Sequence, residues 1–216
     1  MTVRSRVVAV KGMRIGVIKE IMEADHLHPE VQARVAEALR RFEGLGAIVE
    51  EVSLPMIKLT NIISGTGGSD RTALQWKNLM ENPHQYDVAS RRFNLLPGLI
   101  PGSIYQRTLQ LRSLYRRQVL DACERYDILV TPSQPTPPPS IADTKKPLLS
   151  REQAMNDLKA FSFSNAAAIA GIPAISVPCG FSSDGMPMGL QIVGRPFAEE
   201  TVLKVAHAYE QATDWH

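Results

Sequence analysis

The sequence predicts an α/β fold, and three observations carry that prediction. Two short apolar runs, residues 13–18 (MRIGVI) and 47–54 (AIVEEVSL), flank a segment whose apolar residues recur at helical spacing. A long amphipathic stripe from Ile104 to Tyr126 leads directly into a third buried-strand pattern, residues 127–131 (DILVT). Near the end, two apolar stretches, residues 174–181 and 188–193, lie on either side of an Asp184-Gly185 turn. Short β-branched runs bounded by turn residues read as strands, and a 3.6-residue period reads as helix.

Taken in order, residues 13–18 form a buried strand. Pro29 suits the first turn of a helix, and Glu30 beside it is favourable against the helix dipole. Val31, Val35, Leu39 and Phe42 fall on one face, and Gly46 is a stop signal. Residues 47–54 form the second strand, closed by Pro55, so strand–helix–strand makes a βαβ unit with parallel pairing. Residues 57–80 are helical with an interruption at Gly65, Gly67 and Gly68, and Pro83, Pro97 and Pro101 punctuate the next stretch. Along the helix after it Ile104, Leu111, Tyr115, Val119, Ala122 and Tyr126 form one apolar stripe. Residues 131–140 (TPSQPTPPPS) contain five prolines, which excludes helix and central strand. They read as a stiff surface loop or as a linker between domains. Residues 157–169 are helical, and residues 199–213 form a last helix with Val202, Ala206 and Tyr209 on one face.

Composition narrows the function classes. A chain of 216 residues is one domain by default. Its 24 basic and 22 acidic residues leave a net charge of +2, and no Lys/Arg run appears, so nothing points to nucleic acid. No stretch approaches the roughly 18–20 apolar residues of a membrane span. The N-terminal MTVRSRVVAV has an apolar run too short for a signal peptide. Cys123 and Cys179 form no CxxC and no zinc spacing. A reduced, cytoplasmic protein is the expectation.

Several motifs invite chemistry. Gly65-Thr66-Gly67-Gly68-Ser69 resembles a phosphate cradle or a nucleophile loop. It lacks the GxxxxGK[ST] spacing and follows no clear strand, so a helix interruption is the plainer reading. His26 and His28 form an HxH at a helix start without a third ligand, which makes no metal site. His84 and His207 read as surface or packing residues. Cys179 lies at a strand end with no base placed to activate it. Ser164, Ser176, Ser182 and Ser183 likewise have no Lys or His placed by motif. Arg112 sits on the flank of the long stripe, roughly 65° from its centre on ideal geometry, with Arg116 and Arg117 projecting further away. It reads either as a snorkelling arginine or as a bidentate clamp for a carboxylate.

The sequence from Gly12 to His216 resembles the C-terminal part of the amidase signature family, with residues 1–11 unmatched. The resemblance rests on Gly12-Met13-Arg14-Ile15-Gly16-Val17, on Tyr126-Asp127-Ile128-Leu129-Val130-Thr131-Pro132, on Ala170-Gly171-Ile172-Pro173-Ala174-Ile175-Ser176-Val177-Pro178 and on Gly189-Leu190-Gln191-Ile192-Val193-Gly194. It implies an α/β fold with a mixed β-sheet covered by helices. It also implies hydrolysis of small-molecule amides by acyl transfer through a Ser–Ser–Lys triad, with no cofactor and no metal. That triad belongs to an upstream Gly/Ser-rich block that this sequence does not contain, so no catalytic residue is assigned and the chain alone is expected to be inactive. Arg112 matches an arginine that, in glutamine-using tRNA amidotransferase A subunits, grips the glutamine carboxylate. Those proteins also place an aspartate ten residues before the position of Gly171; here Phe161 stands there, with Asp157 nearby. A fragment of such an amidotransferase and a non-enzymatic binding protein reusing the half-fold are the alternatives. An incomplete sheet would leave apolar faces near Val35, Tyr115, Val177 and Ile192 uncovered, so a homo-oligomer or a complementary half is the expected partner.

Overall fold

The computed structural model describes residues 10–141 and 165–215. Among these residues five strands form one sheet in the order β2-β1-β3-β5-β4. They are β1 (Arg14–Ile18), β2 (Ile48–Val52), β3 (Ile128–Pro132), β4 (Ala174–Phe181) and β5 (Pro187–Gly194). β1 runs parallel to both β2 and β3, whereas β5 runs antiparallel to β3 and β4. The sheet is therefore mixed, as the family resemblance implies. All five residues of central β3 are buried, which explains why its sequence is an unbroken apolar run rather than an alternating one.

The connections follow from local chemistry. A single turn, α1 (Lys19–Met22), leaves β1. α2 (Pro29–Gly44) opens with Pro29 at its first turn and His28 as N-cap, whose Nδ1 accepts the Glu30 N–H at 3.3 Å. This gives His28 of the HxH pair a capping role. Val31, Val35, Ala38 and Phe42 form the buried stripe of α2, and the Phe42 ring lies 5.2 Å from that of Tyr209. After a 3-10 turn, Pro55–Leu59, come α3 (Thr60–Thr66), α4 (Ser69–Glu81) and α5 (Val88–Leu95). α6 (Gly102–Arg125) then leads into β3, and α7 (Glu199–Glu210) closes the fold. The Pro-rich segment after β3 crosses the surface: Pro135 is buried and its carbonyl accepts the His28 N–H at 2.8 Å. Of the helix expected over residues 157–169, residues 165–170 are helical and residues up to 164 lie outside the described part.

Two expectations need correction. Val35, Tyr115, Val177 and Ile192 are not left uncovered; all four are buried within this chain. Ile104 does not join the buried stripe of α6 but is 42% exposed. Both departures have one cause. The sheet, α2, α7 and the C-terminal two-thirds of α6 make a complete core, while α3, α4, α5 and the first turns of α6 form an arm with a different interior. The arm buries Thr60, Thr72 and Thr108 beside Ile63 and Leu79 and turns Leu74, Trp76, Met80, Val88, Phe93 and Leu99 outward; Leu74 is 82% exposed and Leu99 79%. Most of the exposed large apolar side chains thus belong to the arm, although Ile48 of β2 and Phe181 of β4 are also exposed. No helix of the described residues is long and apolar enough to cross a membrane.

Candidate functional site

The site grows from the middle of α6. The helical residues 165–170 end at Gly171, whose φ of +66° suits a helix-terminating glycine. The last carbonyls of a helix have no partners of their own. Here α6 supplies them. Arg112 Nε donates to Ile169 O at 2.9 Å. Arg116 Nη1 donates to Ala170 O and, at 3.2 Å, to Gly171 O. Tyr115 OH donates to Ala166 O at 3.2 Å. Two guanidinium groups at a helix C-terminus are also favourable against its dipole.

Beside this contact lies a cavity of about 240 Å³, walled by Ile63, Gly67, Asp70, Tyr105, Arg112 and Asn165 among others. The structure therefore brings Arg112 to a cavity wall and gives it a structural bond as well. Its Nε is committed to Ile169 O, and its two terminal nitrogens make no hydrogen bond or ion pair among the described residues. Tyr105 OH donates to both oxygens of Asp70, at 2.9 and 3.1 Å. That bond holds the Tyr105 phenol above its usual range, with the Arg112 charge pulling the other way. The Thr66 and Thr108 hydroxyls meet at 2.6 Å between α3 and α6.

The Gly65–Ser69 motif is the junction between α3 and α4. A side chain at Gly68 would come within 2.8 Å of Pro97 Cγ and 2.9 Å of Arg71 Nη2, so the glycine permits close packing. Cys179 is a buried residue of β4, and desolvation pushes its thiol up to about 12, the opposite of an activated nucleophile. Ser176 shares its hydroxyl with Ser133 at 2.5 Å, Ser182 Oγ accepts the Met186 N–H in the hairpin turn, and Ser183 N–H donates to Glu30. His84 and His207 are exposed. Ser164, Asp157 and Phe161 lie outside the described residues. Sequence reasoning missed Asp70, Tyr105 and Arg116; only the helix-ending Gly171 could have pointed to a partner such as Arg116.

Comparison with known proteins fits this architecture. The chain is 33% identical to the A subunit of glutamyl-tRNA(Gln) amidotransferase from Thermodesulfovibrio yellowstonii, over 96% of this chain and 46% of that protein. It is 36% identical to the corresponding protein of Geobacillus thermodenitrificans, with the same coverage. The crystal structure of the Thermotoga maritima counterpart matches with a TM-score of 0.68 at 29% identity, over 94% of this chain and 43% of that one. A 6-aminohexanoate cyclic dimer hydrolase shares the fold, with a TM-score of 0.78 at 23% identity over 100% of this chain and 49% of the hydrolase. The chain spans less than half the length of the curated relatives it matches. A family model described as Amidase covers residues 2–203, and the chain is a member of the amidase (amidase signature) family.

Proposed function

We propose that this chain forms the sheet and one wall of the substrate cleft of an amidase acting on small-molecule amides, and that it does not turn over without a partner region carrying the Ser–Ser–Lys machinery. The observation that supports this is the setting of Arg112. Its terminal nitrogens have no partner among the described residues and it lines a cavity of small-molecule size, while its Nε bond to Ile169 fixes the guanidinium plane. A fixed arginine fork suits a carboxylate on the substrate. The partner region is a complementary half, and the apolar arm is the surface assigned to it or to a second copy of this chain. Cys123 and Cys179 are both unpaired and buried, which accords with a cytoplasmic protein.

A second reading has its own support. The relatives at 33–36% identity described above are amidotransferase A subunits, and in that reading Arg112 holds the carboxylate of glutamine. The test is co-expression with a family N-terminal half and assay on paired amides, one bearing a carboxylate and one neutral. Arg112→Ala should raise KM about tenfold or more for the carboxylate-bearing amide and leave the neutral one unchanged. Equal effects on both substrates would remove the clamp from the proposal.

A further inference from the structure

Arg112 shares its cavity of about 240 Å³ with Asp70, and among the described residues these two are the charged members of the wall. Each is held by the protein in a way that leaves it open to a ligand. Arg112 is fixed through Nε to Ile169 O, with its terminal nitrogens unused. Asp70 is moored by the Tyr105 hydroxyl at 2.9 and 3.1 Å. A carboxylate has about four lone-pair sites, so Asp70 can accept from a ligand as well. We propose that the cavity takes an elongated zwitterion, an ω-amino acid or an amide built from one, with its carboxylate on Arg112 and its ammonium on Asp70. This rests on the reading of Arg112 as a carboxylate clamp and adds a second anchor to it.

The neighbouring cations are engaged elsewhere. Arg71, next to Asp70 in the chain, stacks 3.8 Å from the centre of the Phe93 ring and donates to Phe93 O. Arg116, one turn beyond Arg112, donates to Ala170 O and Gly171 O. Nor do Asp70 and Arg112 neutralise each other, since neither is in an ion pair among the described residues. A lone anion on Arg112 would leave Asp70 unmatched in the same cavity, and a lone cation on Asp70 would leave Arg112 unmatched. A zwitterion complements both. The spacing sets its shape. Tyr105 and Arg112 are seven residues apart on α6. They therefore share one side of the helix and are attached about 10 Å apart along its axis. Asp70 is moored to the first of these residues, so a molecule that meets both anchors carries its charges at opposite ends. Ile63, Leu109 and Ala168 line the same cavity and suit the methylene groups that join those ends.

The test is titration of the isotope-labelled chain, followed by amide chemical shifts, with 5-aminopentanoate, its isomer valine, pentanoate and pentylammonium. Saturable shifts at Asp70, Tyr105 and Arg112 are expected, with 5-aminopentanoate bound about tenfold or more tighter than the other three. Asp70→Asn, which keeps the outline and still accepts from Tyr105, should bring 5-aminopentanoate down to the level of pentanoate. Asp70→Lys should move the preference to the dicarboxylate glutarate, a gain that a disturbed fold cannot produce. Arg112→Ala should weaken 5-aminopentanoate and pentanoate alike. Pentanoate bound as tightly as 5-aminopentanoate, and lost with Arg112→Ala, would overturn the second anchor and leave the clamp standing. Valine bound as tightly as 5-aminopentanoate would overturn the elongated zwitterion. No saturable response, or no effect of Arg112→Ala, would overturn the clamp and this proposal together.

Discussion

Replacing Gly194 by alanine tests the seat of α7 on the sheet. A Cβ at this position would lie 2.4 Å from Val202 Cγ2, 3.5 Å from Ala198 O and 3.6 Å from Pro173 Cγ. Carbon atoms prefer a separation of about 3.5–4.0 Å, so Val202 must retreat by more than an ångström. β5 cannot yield easily, because it is paired with β3 on one side and β4 on the other, and Gly194 N–H donates to Pro173 O at 2.9 Å. Overpacking of this kind costs roughly 1–3 kcal/mol. The alanine recovers about 0.4–1 kcal/mol by restricting the unfolded chain, so a net loss of about 1–2 kcal/mol is expected. Val202→Ala alone, at a buried position, should cost about 2 kcal/mol in lost burial and cavity. The double variant places the new methyl in the vacated space and should be less destabilised than the sum by about 1 kcal/mol or more. Urea unfolding followed by far-UV circular dichroism gives the three differences at constant m. Effects that add within about 0.5 kcal/mol would show that Val202 does not sit over Gly194, and would refute the reasoning.

Other outcomes are expected from the same structure. The purified chain alone should not hydrolyse aliphatic or aromatic amides; turnover abolished by changing one of its own residues would contradict this. Cys179, with its thiol pushed up to about 12 by burial, should carry about one thiolate in ten thousand at pH 8, so thiol reagents should modify it only at the rate of opening, and Cys179→Ala should alter no activity. Burial also raises the Tyr115 and Tyr209 phenols. Their neutral forms favour the folded state fully below the unfolded value of about 10, and stability falls as pH rises above it; the alkaline limb of a stability–pH curve should flatten in Tyr115→Phe. Sedimentation at micromolar concentration should show association that Leu74→Lys/Trp76→Glu on the arm removes. A compact monomer with a cooperative, high-temperature melt would instead favour an independent binding protein.

The core elements were legible because they carry their own signals. β1, β2 and β3 are short apolar runs, α2 has a proline start and a four-residue apolar stripe, and the Asp184-Gly185 turn marks the β4–β5 hairpin, where Gly185 has a φ of +76°. The arm was not legible, since hydropathy counts threonine as surface and leucine as core. Here Thr60, Thr72 and Thr108 are inside together with Ile63 and Leu79, while Leu74 and Leu99 are outside. Their hydroxyls make the inversion possible: Thr60 donates to Ile57 O and Thr72 to Asn94 O. At the site, Arg112 was found through its match to a family helix. Arg116 was set aside as pointing further from the stripe, because a helix-by-helix reading does not reveal that a second helix ends against that side. Asp70 and Tyr105 are 35 residues apart in sequence and only the folded arm brings them together.

The place of β3 in the sheet bears on how the chain reaches its native state. β3 joins the parallel pair β2-β1 to the antiparallel pair β5-β4. β5 and β4 are linked by a short turn and can close as a hairpin in microseconds. β1 must find β3 across 113 residues, a loop closure that costs roughly 2–3 kcal/mol more entropy than the hairpin does. The keystone strand is therefore expected to seat after the local β4–β5 hairpin has closed. Until then Ile128, Leu129 and Val130 stand uncovered between two open strand edges, an invitation to pair with the same segment of another molecule. Refolding yield should accordingly fall as protein concentration rises, even where the finished fold is stable.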